Sequence, residues 1–370
     1  MRKVLALVLS LLMVLAMASV AAAEPVAKEN LKIGFVHIGD PSDQGYTYNH
    51  DLGTLAMMEA IGLNEDQIVN KFNIPEGGSE CMSAIEELID AGCNMIFCTS
   101  FSFGEDAMEA AIAHPEIEFF HATGVLASTA DLPNYHNYFA SIYQARYLAG
   151  IAAGLKTQTN KLGYVAAFNF SEVISGYTAF YLGAKSVNPD VEMYVMYTNS
   201  WNDPTVEAQV AKALIDQGCD VLSQHSDSTA TATTCEANGV FQVGYNADMI
   251  AAAPKASLVS ARIDWSKYLI FAVESYLAGE TIPVDWSAGL AEDAVYLSPL
   301  NTDIIAEGTQ EAIDAAKAAI LSGELKVFAG PLKDVNGEVV VAEGTYYPEQ
   351  EAESAPSWSY ILEGITEIAG

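Results

Sequence analysis

The feature that most constrains the fold of this chain is an internal repeat. Leu88–Ile96 matches Leu214–Leu222, and each segment reads as the end of a helix, a glycine and an apolar strand. Two shorter pairs lie ahead of it at nearly the same separation, Lys32–Val36 with Lys161–Val165 and Gly45–Thr47 with Gly176–Thr178. Because the three matches keep their order and spacing, we predict two α/β lobes of the same topology.

Strand-like and helical runs alternate along the chain. In the first repeat the predicted strands are Lys32–Ile38, Asn94–Cys98 and Glu118–His121, and the predicted helices are Leu52–Ile61, Cys81–Ala91 and Asp106–Ala113. This βαβ alternation is typical of a parallel sheet with helices on both faces. Near the C-terminus we predict a helix over Gly308–Ser322 and a hairpin around Asn336 and Gly337, with arms Lys326–Phe328 and Glu338–Val341.

The N-terminus predicts export from the cytoplasm. Arg2 and Lys3 precede an apolar run from Val4 to Val20, and Ala21–Ala23 supplies the small residues of a cleavage site. We therefore expect a signal peptide over residues 1–23 and a mature protein in the periplasm or on the extracellular face of the envelope. A membrane anchor is the weaker alternative, because the apolar run is short for a bilayer span and no basic cluster follows it.

Charge and cysteine content exclude several functions. The formal net charge is −32, and a field of that sign repels nucleic acid phosphates, so we exclude nucleic acid binding. The Cys and His residues do not have the spacing of a metal site, and we expect neither a metal nor another cofactor. Five cysteines leave at least one thiol unpaired. Two bridges stay open as possibilities, Cys81–Cys93 and Cys219–Cys235.

Two similar open sheets predict where a ligand binds. Ligands of such sheets lie beyond the carboxyl ends of the strands. When two lobes face each other, the ligand lies in the cleft between them and becomes buried as the lobes close. The loops that directly follow the strands therefore hold the candidate binding residues.

The first lobe has candidates in the loops after its predicted strands Lys32–Ile38 and Asn94–Cys98. The ring of Tyr46 can cover a planar ligand, whereas Asp43 suits either a polar contact or a helix cap. The predicted ligand residues of this lobe are Asp43, Tyr46, Asn49, Ser100 and Phe101.

The second lobe also has candidates in the loops that follow its predicted strands. Trp201 lies outside a strand beside Asn and Asp, which suits stacking on a ligand. Asp227 either caps the next helix or accepts hydrogen bonds from the ligand, and Asn246 can both donate and accept. Asp264 lies where the chain is predicted to cross back to the first lobe. The predicted ligand residues here are Trp201, Asp227, Asn246 and Asp264.

This residue set suits two ligand classes. Planar heterocycles such as purines stack on aromatic rings and form hydrogen bonds at their edges, and sugars stack on aromatic faces and need many polar partners. Few basic residues follow the strands, which argues against phosphates and anionic amino acids.

Several of these motifs resemble the basic membrane protein (PnrA-like) family of ABC-transporter substrate-binding proteins, in particular its purine- and nucleoside-binding branch. The resemblance extends over roughly residues 31–345. It is carried by Gly39–Asp51, His121–Gly124, Asn199–Pro204, Gln224–Asp227 and Val243–Tyr245.

The resemblance implies an α/β type 1 periplasmic-binding-protein fold, with two Rossmann-like lobes and a hinge of crossover strands. It also implies a base held between aromatic rings of both lobes, with Asp and Asn at its edge. These roles fall on Tyr46, Phe101, Trp201, Asp227 and Asn246. Tyr46 stands where that branch usually has Trp, and its hydroxyl could change the base preference, so free base versus nucleoside stays open.

The sequence thus predicts a monomeric extracytoplasmic solute-binding protein, not an enzyme, that delivers a purine base or nucleoside to an ABC permease. The expected N-terminal lobe is 31–150 plus about 262–295, and the expected C-terminal lobe is 151–261 plus about 296–370, including the hairpin. One alternative is the same fold with a sugar or a signalling molecule as ligand. The other is a secreted hydrolase, for which the chain shows neither a Ser elbow nor an Asp-rich calcium-binding run.

Overall fold

The computed structural model describes residues 25–368, so the predicted signal peptide lies outside the described residues. Within this range, every helix is too short or too polar to cross a lipid bilayer.

The strands, in chain order, are β1 (Ile33–Val36), β2 (Ile68–Lys71), β3 (Met95–Cys98), β4 (Glu118–His121), β5 (Tyr135–Tyr138), β6 (Lys161–Ala166), β7 (Glu192–Tyr197), β8 (Val221–Gln224), β9 (Phe241–Tyr245), β10 (Ser257–Ile263), β11 (Asp285–Trp286), β12 (Val295–Leu297), β13 (Leu332–Lys333), β14 (Val339–Val341) and β15 (Ile365–Glu367). The α-helices are α1 (Tyr46–Ile61), α2 (Glu80–Asp90), α3 (Gly104–Ala113), α4 (Leu126–Ala130), α5 (Ile142–Lys156), α6 (Ser171–Val187), α7 (Pro204–Asp216), α8 (Ala230–Asn238), α9 (Ser266–Ala278) and α10 (Thr309–Ser322).

Two sheets form the centres of two lobes. The first sheet has the order β11-β5-β4-β3-β1-β2 and is parallel throughout. The second has the order β12-β10-β9-β8-β6-β7-β15 and is parallel except for β12, which runs antiparallel to β10. Because β1–β5 and β6–β10 are arranged in the same order, the two lobes share one topology, as the repeat predicts.

The longest repeat is also a structural repeat. Gly92 after α2 and Gly218 after α7 have φ angles of +86° and +92°, in the left-handed region that favours glycine. The residue after each glycine donates its N–H to the carbonyl of Leu88 in one lobe (3.1 Å) and of Leu214 in the other (3.2 Å). The same helix ending thus leads into β3 and β8, the central strands beside β1 and β6.

The shortest of the three sequence matches is not structurally equivalent. Gly45 lies directly before α1, whereas Gly176 lies inside α6. The similarity of Gly45–Thr47 to Gly176–Thr178 therefore does not mark the same place in the two lobes. The two helices begin at different distances from the shared tripeptide, because the loops that lead into them differ in length.

The chain passes between the lobes at three places. It leaves the first sheet after β5, returns after β10, and crosses again between β11 and β12. After the first crossing, α5 packs along α6 beside the second sheet. These connections lie side by side and form the hinge.

The C-terminal hairpin differs from its predicted form. The second arm, β14, lies within the predicted Glu338–Val341, but it pairs across Asn336 and Gly337 with β13 and not with Lys326–Phe328. The reason is that Val327 and Phe328 are core residues: both are buried, and the ring of Phe328 stacks on Trp358 with centroids 4.7 Å apart. After the hairpin, β15 adds to the edge of the second sheet beside β7.

All five cysteines are free and buried in the structure. Neither of the possible bridges forms, and the thiols pack as small apolar core residues. Three lie in the core of the first lobe and two in that of the second.

Candidate ligand-binding site between the lobes

A cavity lies between the two lobes at the carboxyl ends of the parallel strands. About 350 Å³ of space, part of it open to solvent, lies between its lining atoms. The first lobe contributes Ile38, Tyr46, Thr99, Ser100, Phe101, Ala122 and Thr123. The second lobe contributes Glu172, Trp201, His225, Asp227 and Tyr245. Five predicted ligand residues are therefore brought together: Tyr46, Ser100, Phe101, Trp201 and Asp227.

The two lobes touch at the edge of this cavity. The backbone of Gly45 approaches that of Asp227 so closely that a Cβ on Gly45 would lie 1.6 Å from the Asp227 carbonyl oxygen. Nearby, the rings of Phe101 and Phe170 meet across the cleft with centroids 5.2 Å apart. The structure therefore shows the cleft closed, and closure depends on the missing side chain at Gly45.

Aromatic rings from both lobes line the cavity. In the first lobe the Tyr46 hydroxyl donates to the Thr99 carbonyl (2.7 Å), and the ring packs edge-on against His50 (4.6 Å). In the second lobe Trp201 packs edge-on against Phe168 (5.1 Å). Both rings are held in place by protein contacts, and the Tyr46 hydroxyl is occupied within the protein.

The Asp227 carboxylate has no hydrogen-bond donor among the described residues, although the residue is only 4% exposed. It does not cap α8, because Ser228 Oγ accepts the first N–H of that helix from Ala230 (3.1 Å). Burial raises the pKa of Asp227 well above its usual value, and the neighbouring carboxyl groups, Asp43 first, raise this pKa further. A buried acid without a partner suits a hydrogen bond to a ligand.

Two of the predicted ligand residues are helix caps that do not line the cavity. The Asp43 carboxylate accepts the backbone N–H groups of Gly45 (2.8 Å), Thr47 (2.9 Å) and Tyr48 (3.0 Å) at the start of α1. The Asp264 carboxylate accepts the N–H of Ser266 (3.1 Å) at the start of α9. Their positions after strands are as predicted, but their oxygens are used by backbone groups.

Two more predicted residues, Asn49 and Asn246, lie at the hinge. The Asn49 amide donates to the Ile263 carbonyl (2.8 Å) and accepts from Arg262 Nη2 (3.1 Å). Arg262 Nε donates to the backbone carbonyl of Asn246 (2.7 Å). The side-chain amide of Asn246 is buried and has no partner among the described residues. Neither asparagine lines the cavity.

Seven lining residues were not predicted, and three of them belong to the second lobe: Glu172, His225 and Tyr245. Glu172 lies in the first turn of α6, where an acidic residue is ordinary, so its sequence position gave no signal. Burial raises the pKa of Glu172 to about 7, against the opposing effect of Arg146. His225 and Tyr245 belong to the family-like motifs Gln224–Asp227 and Val243–Tyr245. Their places directly after β8 and at the end of β9 could have identified them as lining residues.

Comparisons with known proteins agree with this geometry. The family described as "ABC transporter substrate-binding protein PnrA-like" matches residues 30–329. A purine-binding protein of Brucella abortus is 36% identical over 326 residues, which cover 88% of this chain and 90% of that protein. A protein of Haloferax volcanii named as an ABC transporter glucose-binding protein is 31% identical over 306 residues, 83% of this chain and 76% of that protein.

A solved ABC-transporter solute-binding protein from Aeropyrum pernix K1 has the same fold, with a TM-score of 0.69 over 83% of this chain and 95% of that one. The sequence identity is 19%, so this likeness concerns the fold alone. It confirms the predicted periplasmic-binding-protein fold. Proteins of this kind bind a small molecule outside the cytoplasm and work with a membrane permease. The family match spans most of both lobes, and the chain belongs to the PnrA-like family of ABC-transporter substrate-binding proteins.

Proposed function

We propose that this protein binds a purine base or nucleoside in the cavity between its lobes and delivers it to an ABC permease. The observation that carries the proposal is the combination of fixed aromatic rings from both lobes with the unpartnered carboxylate of Asp227. The purine-binding relative from Brucella abortus supports the choice of ligand.

The physical argument starts from the cost of burying Asp227. A buried carboxylate without a partner is destabilising, so the closed cleft gains most from a ligand that brings an N–H group to it. Purines have N–H groups at the edge of a flat ring. A single flat ligand can therefore contact Tyr46 and Trp201 with its faces while its edge donates to Asp227.

A sugar is the second candidate, because the Haloferax volcanii relative is named as glucose-binding. The first-lobe wall carries Ser100 and Thr123, and the Thr123 hydroxyl is buried without a partner among the described residues. These hydroxyls are able to form hydrogen bonds with the hydroxyl groups of a sugar, so sugars are included in the same binding experiment.

The proposal has further parts. Removal of the signal peptide near Ala23 produces the mature protein. This mature protein is a monomer and binds its ligand without changing it chemically. We also propose the lobe division expected from the sequence, with residues 31–150 plus about 262–295 in one lobe and residues 151–261 plus about 296–370 in the other. Asn246 keeps a place as a ligand candidate, since its unpartnered amide becomes accessible when the lobes separate.

Calorimetric titration tests the ligand. The protein is unfolded and refolded to remove bound ligand and is then titrated with adenine, guanine, hypoxanthine, adenosine, inosine, ribose and glucose. We expect saturable heat with purines and none with the sugars. Heat with glucose or ribose and none with any purine would contradict the proposal and make the protein a sugar carrier.

A further inference from the structure

A chain of polar groups extends from the second-lobe wall of the cavity into the protein. It is formed by the buried Arg146, Tyr164 and His225 and the half-buried Glu172, and is called the relay below. Arg146 Nη1 donates to Tyr164 Oη (2.6 Å). Tyr164 Oη lies 3.4 Å from His225 Nδ1, and His225 Nε2 lies 3.4 Å from Glu172 Oε1. His225 and Glu172 line the cavity, whereas Arg146 and Tyr164 do not.

The hydrogen bonds of the relay all donate in the same order, from Arg146 through Tyr164 and His225 to Glu172. Arginine can only donate, so the Tyr164 oxygen accepts from Arg146. The Tyr164 O–H has His225 Nδ1 as its acceptor among the described residues. Burial, and then the charge of Arg146, hold the pKa of His225 well below its usual value. A neutral His225 that accepts at Nδ1 carries its proton on Nε2, and this proton faces the Glu172 carboxylate.

Gly176 leaves room for the relay. It lies one helical turn after Glu172 on the same face of α6. A Cβ at this position would lie 3.0 Å from Arg146 Nε and 3.1 Å from His225 Nδ1. Any side chain here would press on the relay.

The protein leaves hydrogen-bonding capacity unused at Glu172 and at the neighbouring Tyr245, which both line the cavity. Among the described residues, the only hydrogen-bond partner of the Glu172 carboxyl is His225. The Tyr245 hydroxyl is buried and unpartnered, and the Tyr245 ring lies beneath the Arg146 guanidinium at 3.8 Å. Glu172 Oε1 faces His225, and the other carboxyl oxygen has no protein donor among the described residues.

We propose that Glu172 contacts the ligand and determines specificity, held by the relay as a hydrogen-bond acceptor that requires an N–H or O–H donor on the ligand. The inference rests on the proposed function. Glu172 and Asp227 then form two acceptors on the second-lobe wall, and a purine must place donors at two edges.

The charge state of Glu172 makes the inference measurable. Burial raises the pKa of Glu172 to about 7, with Arg146 lowering it and Glu76 raising it. The other groups around it are Tyr164 on β6, His225 and Asp227 after β8, Tyr245 on β9, and Tyr46 from the first lobe. A ligand donor stabilises the carboxylate, so binding releases a proton below about pH 7 and affinity falls as the pH decreases.

The experiment titrates hypoxanthine into ligand-free protein from about pH 5.5 to about pH 8. The variants are E172Q, Y164F and, as a matched control, E192Q at the exposed start of β7. Melting curves establish that each variant is folded. Glutamine keeps the shape and the bond from His225 but turns an N–H toward the ligand.

We expect E172Q to bind about tenfold or more weakly above pH 7 and to lose most of the pH dependence. Y164F leaves the cavity lining unchanged but frees the His225 proton to move, so it should lower affinity less and shift the midpoint of the pH profile. E192Q should match the wild type. Unchanged affinity and pH profile in E172Q would overturn this inference and leave the proposed function standing, whereas a wild type that binds no purine at any pH would overturn both.

Discussion

At the residue scale, the proposed ligand recognition depends on polar groups that the protein itself leaves without partners. Asp227, Tyr245 and Asn246 are almost fully buried, and the Asp227 carboxylate, the Tyr245 hydroxyl and the Asn246 amide lack hydrogen-bond partners among the described residues. Each such group costs free energy in the closed state. A ligand that satisfies them recovers this cost, so affinity and closure have the same physical source.

The first prediction concerns Trp201. Trp201→Ala removes the second-lobe stacking surface and should weaken purine binding by about 1–3 kcal/mol, the range for base–aromatic stacking. Calorimetry measures the change, and Trp286→Ala, outside the cavity, serves as the control. A folded Trp201→Ala protein with unchanged affinity would remove Trp201 from the site.

The second prediction concerns Asp227. Burial raises the pKa of its carboxyl, so the charged form is unfavourable in the closed fold and its contribution to stability is lost as the pH rises. Asp227→Asn should therefore weaken purine binding about tenfold or more while the melting temperature of the ligand-free protein stays the same or rises.

Melting and titration curves measured side by side test this prediction. Asp248→Asn is the matched control, since Asp248 is exposed and follows β9, a strand of the same sheet. A clear loss of stability in Asp227→Asn would show that the carboxylate has a structural partner in solution.

The sequence predicted cavity-lining side chains where strand position and side-chain type agree. Tyr46 and Trp201 are large rings in polar loops, and both line the cavity. Asp43 and Asp264 have equally suitable positions, but the choice between ligand contact and helix cap depends on where the first helical N–H groups point. Glu172 was missed because it reaches the cavity from a helix rather than from a loop.

At the element scale, the loops at the carboxyl ends of the strands form the site, and the helices that follow them set its shape. α1 begins at Tyr46, directly after the glycine that meets the second lobe. α6 carries Glu172 in its first turn and Gly176 in its second. The first βα unit of one lobe thus carries the contact between the lobes, and the equivalent unit of the other lobe carries the proposed polar recognition.

The third prediction tests the close approach of Gly45 in one lobe to Asp227 in the other. In Gly45→Ala the new methyl group would occupy the space of the Asp227 carbonyl, so the lobes cannot close fully. We expect purine affinity to fall at least about tenfold, with little change in the melting temperature, because each lobe keeps its own core. Ser42→Ala, in the same loop, is the control.

Small-angle scattering of Gly45→Ala with excess ligand provides an independent measurement. It should give a larger radius of gyration than the wild type under the same conditions. A variant that binds and compacts like the wild type would show that closure does not need this close approach.

Helix and strand positions were predictable wherever a glycine or a long apolar run marks the boundary. β4 has its predicted bounds, and α2 and α10 lie within a residue of theirs. The hairpin arm was wrong because Val327 and Phe328 are apolar for a different reason: they fill the core beside Trp358. Two adjacent apolar residues do not show whether the segment is a strand or an irregular part of the core, because that depends on their tertiary partners.

At the scale of the whole molecule, the closed cleft and the hinge determine function together. The hinge is connected by hydrogen bonds between the lobes, since Asn49 on α1 contacts both Arg262 and the Ile263 carbonyl on β10. In the proposed mechanism, rotation about the hinge opens the cavity while the two sheets stay intact. The internal repeat made this architecture predictable, whereas the contacts that hold it closed involve residues far apart in the sequence.

The fourth prediction concerns the ligand-free state. Because closure buries the unpartnered Asp227 carboxylate, ligand-free protein in solution should be more open than this structure. Scattering should show the radius of gyration decreasing when hypoxanthine is added, and the melting temperature should rise with ligand concentration. A radius of gyration that is the same with and without ligand would contradict hinge closure.

The most direct test of the account is the crystal structure of the protein grown with hypoxanthine. We predict density for one flat base in the cavity, with its faces against Tyr46 and Trp201 and an edge N–H within hydrogen-bond distance of the Asp227 carboxylate. A closed protein with the base elsewhere, or with an empty cavity under saturating ligand, would contradict the account.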